Sequence, residues 1–569
     1  MLDLLPAHVR VSETTDGIVL ESPTPLPAPA VSTSAWLERW ARERPDATFL
    51  AERDAAGGWA RTTYAEAFAR VEGIAAMLHD RGGHRDRPVL ILSENSVATA
   101  LLILGAMHAG IPASPVSPAY SLQSQSHERL RAVAEQLVPG FVYADDGRYG
   151  HAFEAVRTTT LDVMPLGPAD LASLDGAGGA DLTPDTIAKV LFTSGSTGRP
   201  KGVVNTQRML TANQESLAAC WPFLAERPPV VVDWLPWSHT FGGNHNFHLV
   251  LRNGGALYID RGRPAPGLVE ITLANLADVQ PTLWFNVPRG FDQAVPLLEA
   301  DPELAARAFA NLDLIFYAAA ALGPVTRQRL EAVAAKAGRD IFFTSAWGST
   351  ETSPLATSAH FATATTGILG LPVPGVQLKL APAQDRLELR VKGPNVTPGT
   401  WLPGGAIEPV QLDADGFLPT GDAGRLADPA HPEQGVVFAG RLGENFKLAS
   451  GTWVAVAGVR IGLVEACGAI VQDAVIAGHD RAELGALLVL SAAGAALAEA
   501  EREAQLAAAL DAYNAAHSGN SERCCYALAL TDPLSLDEGE TTDKGYTNQR
   551  RVLERRAAEV ARLFEGARR

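Results

Sequence analysis

Eight short apolar runs, "PVLILS", "GFVYAD", "KVLFTSG", "PVVVDWLP", "GALYID", "PTLWFNVP", "LDLIFYAAAA" and "DIFFTSAWG", recur through the first 350 residues, each bounded by Gly, Pro or polar residues. Continuous apolar runs of this length, separated by helix-sized segments, predict buried strands in α/β layers. From about Gly375 the pattern changes: "VQLKLA" and "RLELRVKG" alternate apolar with polar residues, which predicts antiparallel strands with one wet face. A turn-rich stretch, "AGRLGENFKLASG", then precedes a C-terminal segment. There "DAVIAGHD" and "GALLVLS" read as strands and "ALAEAEREAQLAAALDAYNAAH" as a helix. The predicted fold is α/β. A large multi-layered domain over 1–440 combines parallel-type sheets with a β-rich subdomain, and a small mobile α+β domain covers 441–569, with a hinge near 441–445.

With 569 residues the chain is too long for one core, and its composition, 47% hydrophobic and 20% charged, is that of an ordinary globular protein. A formal charge of -17 excludes a generic nucleic-acid binder. The last 29 residues are locally basic, eight Lys or Arg against four Asp or Glu, and read as a solvated amphipathic helix. The four cysteines have no metal-ligand spacing, which fits a reducing cytosol. The strongly apolar stretch from Val97 to Met107 is shorter than the roughly 18 residues of a spanning helix, so no membrane association is expected and the predicted location is cytoplasmic.

"TSGSTGRPKG" follows the strand "AKVLF" and places Thr193, Ser194, Gly195, Ser196, Thr197 and Gly198 in a row before Lys201. Glycines let successive N–H groups form an anion nest, hydroxyls add donors, and a lysine supplies a point charge: this is a cradle for a polyphosphate. It is not the kinase or GTPase loop, because two residues rather than four separate Gly195 from Gly198. A surface hairpin loop has the same composition. Only seven of the 47 basic residues are lysine, the first being Lys189, so Lys201 stands out in a chain that otherwise uses Arg. The same contrast marks Lys447 and Lys544.

Taken in order, "TSGSTGRPKG", "WLPWSHTFGG", "AWGSTET", "PTGDAGRL" and "GRLGENFK" resemble the successive signatures of the adenylate-forming superfamily, which includes acyl- and aryl-CoA synthetases. The resemblance spans nearly the whole chain. It implies that ATP adenylates a carboxylate, with loss of pyrophosphate, and that the thiol of CoA then displaces AMP. By the same resemblance, residues 193–201 hold the phosphates. Gly348 and Ser349 shape the turn where Thr350 meets the α-phosphate, and Glu351 ligates Mg2+. Asp422 receives the ribose hydroxyls, with Arg441 beside it. Trp347 replaces the tyrosine often found at its position; it gains a surface for stacking on adenine and lacks the phenolic hydroxyl.

His239 is placed by the resemblance beside the reacting carboxyl. A lone histidine amid aromatics is otherwise more often structural. Trp234, Trp237, Phe241, Phe316 and Tyr317 are candidates to line a flat acyl pocket, against the plain reading that aromatics on strands are core. The hinge position is Gly443, where the family commonly has Asp or Lys. The usual C-terminal Gly-Lys signature is missing, which leaves Lys544 as the candidate for adenylation. Lys447, with Gly451, belongs to the acyl/CoA side.

"SENSVATALLILGAMHAGIPASPVSPAYSL", "ENFKLASGTWV" and "TTDKGYTNQR" further resemble the bacterial feruloyl-CoA synthetases. The implied ligands are a hydroxycinnamic acid (ferulate, p-coumarate or caffeate), ATP, Mg2+ and CoA, with homodimerisation left open. The alternatives are a medium- or long-chain fatty-acid ligase and a nucleotide-binding regulator that has lost catalysis.

Overall fold

The computed structural model describes residues 2–565 apart from 161, 173, 175, 194–199, 364–365, 384–385, 543–544 and 546. All eight apolar runs are strands. Six parallel strands, in spatial order Thr48–Arg53, Ala256–Ile259, Val230–Asp233, Leu283–Asn286, Leu314–Tyr317 and Phe342–Gly348, form the core of a 15-stranded sheet. An eight-stranded sheet holds Val89–Leu92, Phe141–Ala144 and Ile187–Thr193. Helices Tyr64–Asp80 and Val97–His108 share one apolar core with both sheets. Val97–His108 is buried on nearly every side, which explains its lack of a polar face.

Beyond Phe342–Gly348 the large sheet turns antiparallel. Here Gln377–Ala383 pairs with Arg386–Lys392, as their alternation requires. Gln377–Ala383 also pairs with the N-terminal strand Gly17–Glu21, about which local pattern says nothing. The small C-terminal unit has strands Val471–Ala477, Leu484–Leu490 and Cys524–Leu530, helix Glu499–Ala516 and its own core around Leu463, Leu488 and Leu510. The basic tail forms helices Gln549–Arg555 and Ala557–Glu565. Arg555 and Arg556 pair there with Glu538 and Glu540. The four cysteines are buried and none is in a disulfide among the described residues, and no helix among those residues is long and apolar enough to cross a membrane.

Candidate functional site

Ile187–Thr193 and Lys201–Thr206 form an antiparallel hairpin in which Thr193 faces Lys201. The Gly/Ser/Thr loop is therefore the hairpin's connection. Thr193 is half-buried and Lys201 exposed at its mouth, while Ser194, Gly195, Ser196, Thr197 and Gly198 lie outside the described residues.

The strand Phe342–Gly348 ends in a single 3-10 turn, Thr350–Thr352. Ser349 N donates to Thr352 Oγ1 at 2.8 Å, closing that turn. Thr350 is buried, and Glu351 is half-buried, with its carbonyl accepting from Thr397 N at 2.8 Å. A Cβ on Gly348 would lie 1.6 Å from the Pro354 carbonyl oxygen. Because that neighbour is backbone, Gly348→Ala must displace the turn itself, and a shift of even ~1 Å at a reacting site costs about 10²-fold in rate. Steady-state pyrophosphate release should fall by that order with the fold retained by circular dichroism; a rate within a few-fold of wild type would remove this turn from the site.

Asp422, on the strand Leu418–Leu426, faces Arg441 across the pairing with Val436–Arg441. Trp347 Nε1 donates to Asp422 Oδ2 at 2.9 Å, and Arg441 Nε stands 3.5 Å from Oδ1. Three motifs distant in sequence thus meet on one carboxylate. The indole N–H of Trp347 gives this carboxylate a hydrogen-bond donor. One hydrogen bond and one ion pair leave lone pairs on both oxygens, enough for a vicinal diol. Burial raises the Asp422 pKa above the ordinary carboxylate value, against the opposing pull of Arg441 and Trp347.

His239 ends the segment that follows strand Val230–Asp233 and leads into a π-helical turn, Phe241–Asn246. Asn95 pins this segment, accepting from Trp237 N at 3.1 Å and donating to Leu235 O at 2.9 Å. Phe241 N donates to His239 Nδ1 at 3.3 Å, so in the neutral ring the proton resides on Nε2. Trp234 is half-buried, whereas Trp237 packs on Phe247 with ring centroids 5.1 Å apart and is core.

The aromatic candidates do not share one wall. Phe316 and Tyr317 are consecutive on a strand and point to opposite faces, so Phe316 joins the core between the sheets and Tyr317 the core on the other side. Phe316 instead meets Phe241 at 5.5 Å, and both surround a residue that the motifs did not single out, His245. Trp221 and Phe285 complete the ring around His245. Its Nδ1 is 2.9 Å from Asn246 Oδ1 and its Nε2 has no partner among the described residues. Burial pulls its pKa down to about 4, so the ring is neutral. The available signal was the polar run "GGNHN" inside an apolar stretch.

Gly443 is exposed and a Cβ there would meet nothing within 4 Å, so sterics do not demand glycine. Lys447 is exposed with Nζ 4.8 Å from the Trp453 ring, and Gly451 has φ of +80°. Lys544 lies outside the described residues. Near it in sequence, the Asp537 carboxylate accepts from Ser124 Oγ at 2.5 Å and Gln125 N at 3.1 Å, joining the C-terminal unit to the large domain. Among the described residues no three His, Cys, Asp or Glu side chains cluster as a metal cage. A lone Glu351 suits Mg2+, which takes one or two carboxylates and completes its shell with phosphates and water.

Residues 37–401 match the family described as AMP-binding enzyme, and residues 461–568 match the AMP-binding enzyme C-terminal domain. The chain belongs to the AMP-binding enzyme family. This AMP-binding enzyme is 26% identical over 497 residues, 82% of its length and 90% of the relative's, to 3-[(3aS,4S,7aS)-7a-methyl-1,5-dioxo-octahydro-1H-inden-4-yl]propanoyl:CoA ligase of Rhodococcus jostii. It is 31% identical over 252 residues, 42% of each chain, to a long-chain-fatty-acid–CoA ligase of Salmonella typhimurium. Its fold is that of ATP-bound MatB from Rhodopseudomonas palustris, with a TM-score of 0.70, 24% identity, and coverage of 93% of this chain and 99% of the other.

Proposed function

We propose that the protein is an ATP-dependent acid–CoA ligase that activates a hydroxycinnamic acid. The carboxylate oxygen attacks the α-phosphorus of ATP and the bond to pyrophosphate breaks; the CoA sulfur then attacks the acyl carbon and AMP departs. The catalysis asked of the protein is placement and charge stabilisation. Thr193 and Lys201 sit at the mouth of the phosphate hairpin, and Thr350 and Glu351 at the turn where the α-phosphate and its Mg2+ would lie. Asp422, oriented by Trp347 and Arg441, takes the ribose. His239 offers Nε2–H toward the reacting carboxyl, Lys544 stabilises the charge built up during adenylation, and Lys447 serves the thiol-transfer step.

The observation that carries the aromatic, hydroxylated acid is His245. A neutral imidazole with an unpaired Nε2, ringed by Phe241, Phe285, Phe316 and Trp221, has the chemistry to receive a phenolic hydroxyl between aromatic faces. An acceptor built for such a hydroxyl rejects the analogue without it strongly. The similarity to a fatty-acid ligase favours a second reading, in which the same enclosure accepts an alkyl chain.

CoA-dependent pyrophosphate release with ferulate, p-coumarate, caffeate, cinnamate, benzoate, octanoate and palmitate separates the two. Turnover confined to the hydroxylated cinnamates is expected, with cinnamate lower by about 10-fold or more for one lost buried hydrogen bond. Preference for octanoate or palmitate would transfer the assignment to alkyl acids.

A further inference from the structure

Lys189 is 1% exposed, and its Nζ donates to Gly243 O at 3.0 Å and Asn244 Oδ1 at 3.2 Å. Both acceptors belong to the π-helical turn. Such a turn shifts its internal hydrogen bonds to i+5 and leaves carbonyls in need of outside donors. Lys189 supplies one, and Gln214 Nε2 supplies the others, to Asn244 O at 2.9 Å and His245 O at 3.1 Å. Gly243 N in turn donates to His239 O at 2.8 Å. The ammonium is therefore two hydrogen bonds from the backbone of His239.

Lys189 is also part of the phosphate hairpin. It pairs in register with Asn205 on the opposite strand, and directly opposed residues of an antiparallel pair share a face. Asn205 Oδ1 accepts from Asn244 Nδ2 at 2.7 Å. The Asn244 amide is thus gripped at its oxygen by one strand of the hairpin and at its nitrogen by the other. Ser353 Oγ, just past the Thr350–Thr352 turn, donates to the same Asn205 oxygen at 3.3 Å.

A lysine in the core is a costly way to fill space that leucine or methionine would fill. Burial pulls its ammonium down to about 7, with no carboxylate opposing the shift. The titratable groups near it are His248, which burial holds neutral, and Asp233, which reaches the far end of the π-helical turn through Asn246. An isolated structural lysine would require neither the amide grip nor the register with Asn205.

We propose that Lys189 is a positioning residue that, with Asn205, ties the phosphate hairpin to the π-helical turn that follows His239 and is bonded to it, so that nucleotide phosphates at the hairpin tighten binding of the acid. The proposal rests on the assignment of the hairpin to ATP and of His239 to the acid. It does not depend on which acid is bound.

Calorimetric titration of ferulate, or of octanoate should the acid panel select an alkyl chain, is made with and without saturating α,β-methylene-ATP. In the wild-type protein the nucleotide should lower the acid Kd by about fivefold or more, and by reciprocity the acid should lower the nucleotide Kd by the same factor. In Lys189→Met both ratios should fall to near one, while Lys189→Gln, which keeps a donor, retains part of the effect. A purely structural lysine would weaken both ligands or lower the melting temperature without changing the ratio. If Lys189→Met does not fold, Asn205→Ala breaks the other leg and should lose the ratio equally. Full coupling in the variants, or none in the wild type with both ligands bound, overturns the clamp alone; failure of the wild type to bind the nucleotide overturns the ligase assignment with it.

Discussion

Asp422→Asn should lose adenylation by about 10²- to 10³-fold, chiefly through the KM for ATP, because hydrogen bonds to a charged group are worth about 1.5–3 kcal/mol each and a ribose diol makes two. The same substitution should not lower the thermal midpoint at neutral pH. Burial raises the folded-state pKa of this carboxyl. A raised group stabilises the fold below its unfolded pKa, and that contribution is lost as pH rises through the folded value. At neutral pH the ionised form is therefore a net cost to folding, which a neutral amide of the same shape removes. The pH profile supplies a second check: the acid limb of kcat/KM for ATP should begin above the ordinary carboxylate range in the wild type and vanish in the variant. A variant with normal ATP kinetics, or one that loses stability and activity together, would show that Asp422 serves the fold and not the ribose.

Lys544→Ala should reduce the first half-reaction by about 10²- to 10³-fold, the usual loss when one preorganised charge is taken from a developing anion. Transfer from chemically prepared acyl-adenylate to CoA should stay within a few-fold of wild type, since no phosphorus bond to pyrophosphate is then broken. Rapid-quench measurement of each half-reaction separates the two. Equal losses in both would overturn the assignment of Lys544 to adenylation and place it in a step common to the two half-reactions.

The strands and the motif chemistry were legible because both are local. An apolar run such as "DLIFY" can be read as a buried strand without knowing its neighbours, and Gly, Ser, Thr and Lys in a row carry their donors wherever they are placed. Two local readings were nevertheless incomplete. Consecutive aromatics look like one surface in sequence, yet the period of a strand divides Phe316 from Tyr317. Glycine at 443 suggests conformational need, while its Cβ position is open; glycine at 348 shows no such sign in sequence and is the one crowded by backbone.

By itself, then, the sequence determined the element types, the α/β class and the order of the chemical motifs, because periodicity and turn chemistry act over a few residues. Only the tertiary structure decided that Trp347 and Arg441 converge on Asp422 and that the Nε2 of His245 has no partner among the described residues, inside a ring of aromatics. It also decided that Lys189 reaches across from the hairpin of Ile187–Thr193 and Lys201–Thr206 to the π-helical turn Phe241–Asn246. Those outcomes depend on which distant strands share a sheet and on how completely they exclude water, and exclusion of water gives a carboxylate, an imidazole and an ammonium properties that none of them has in the unfolded chain.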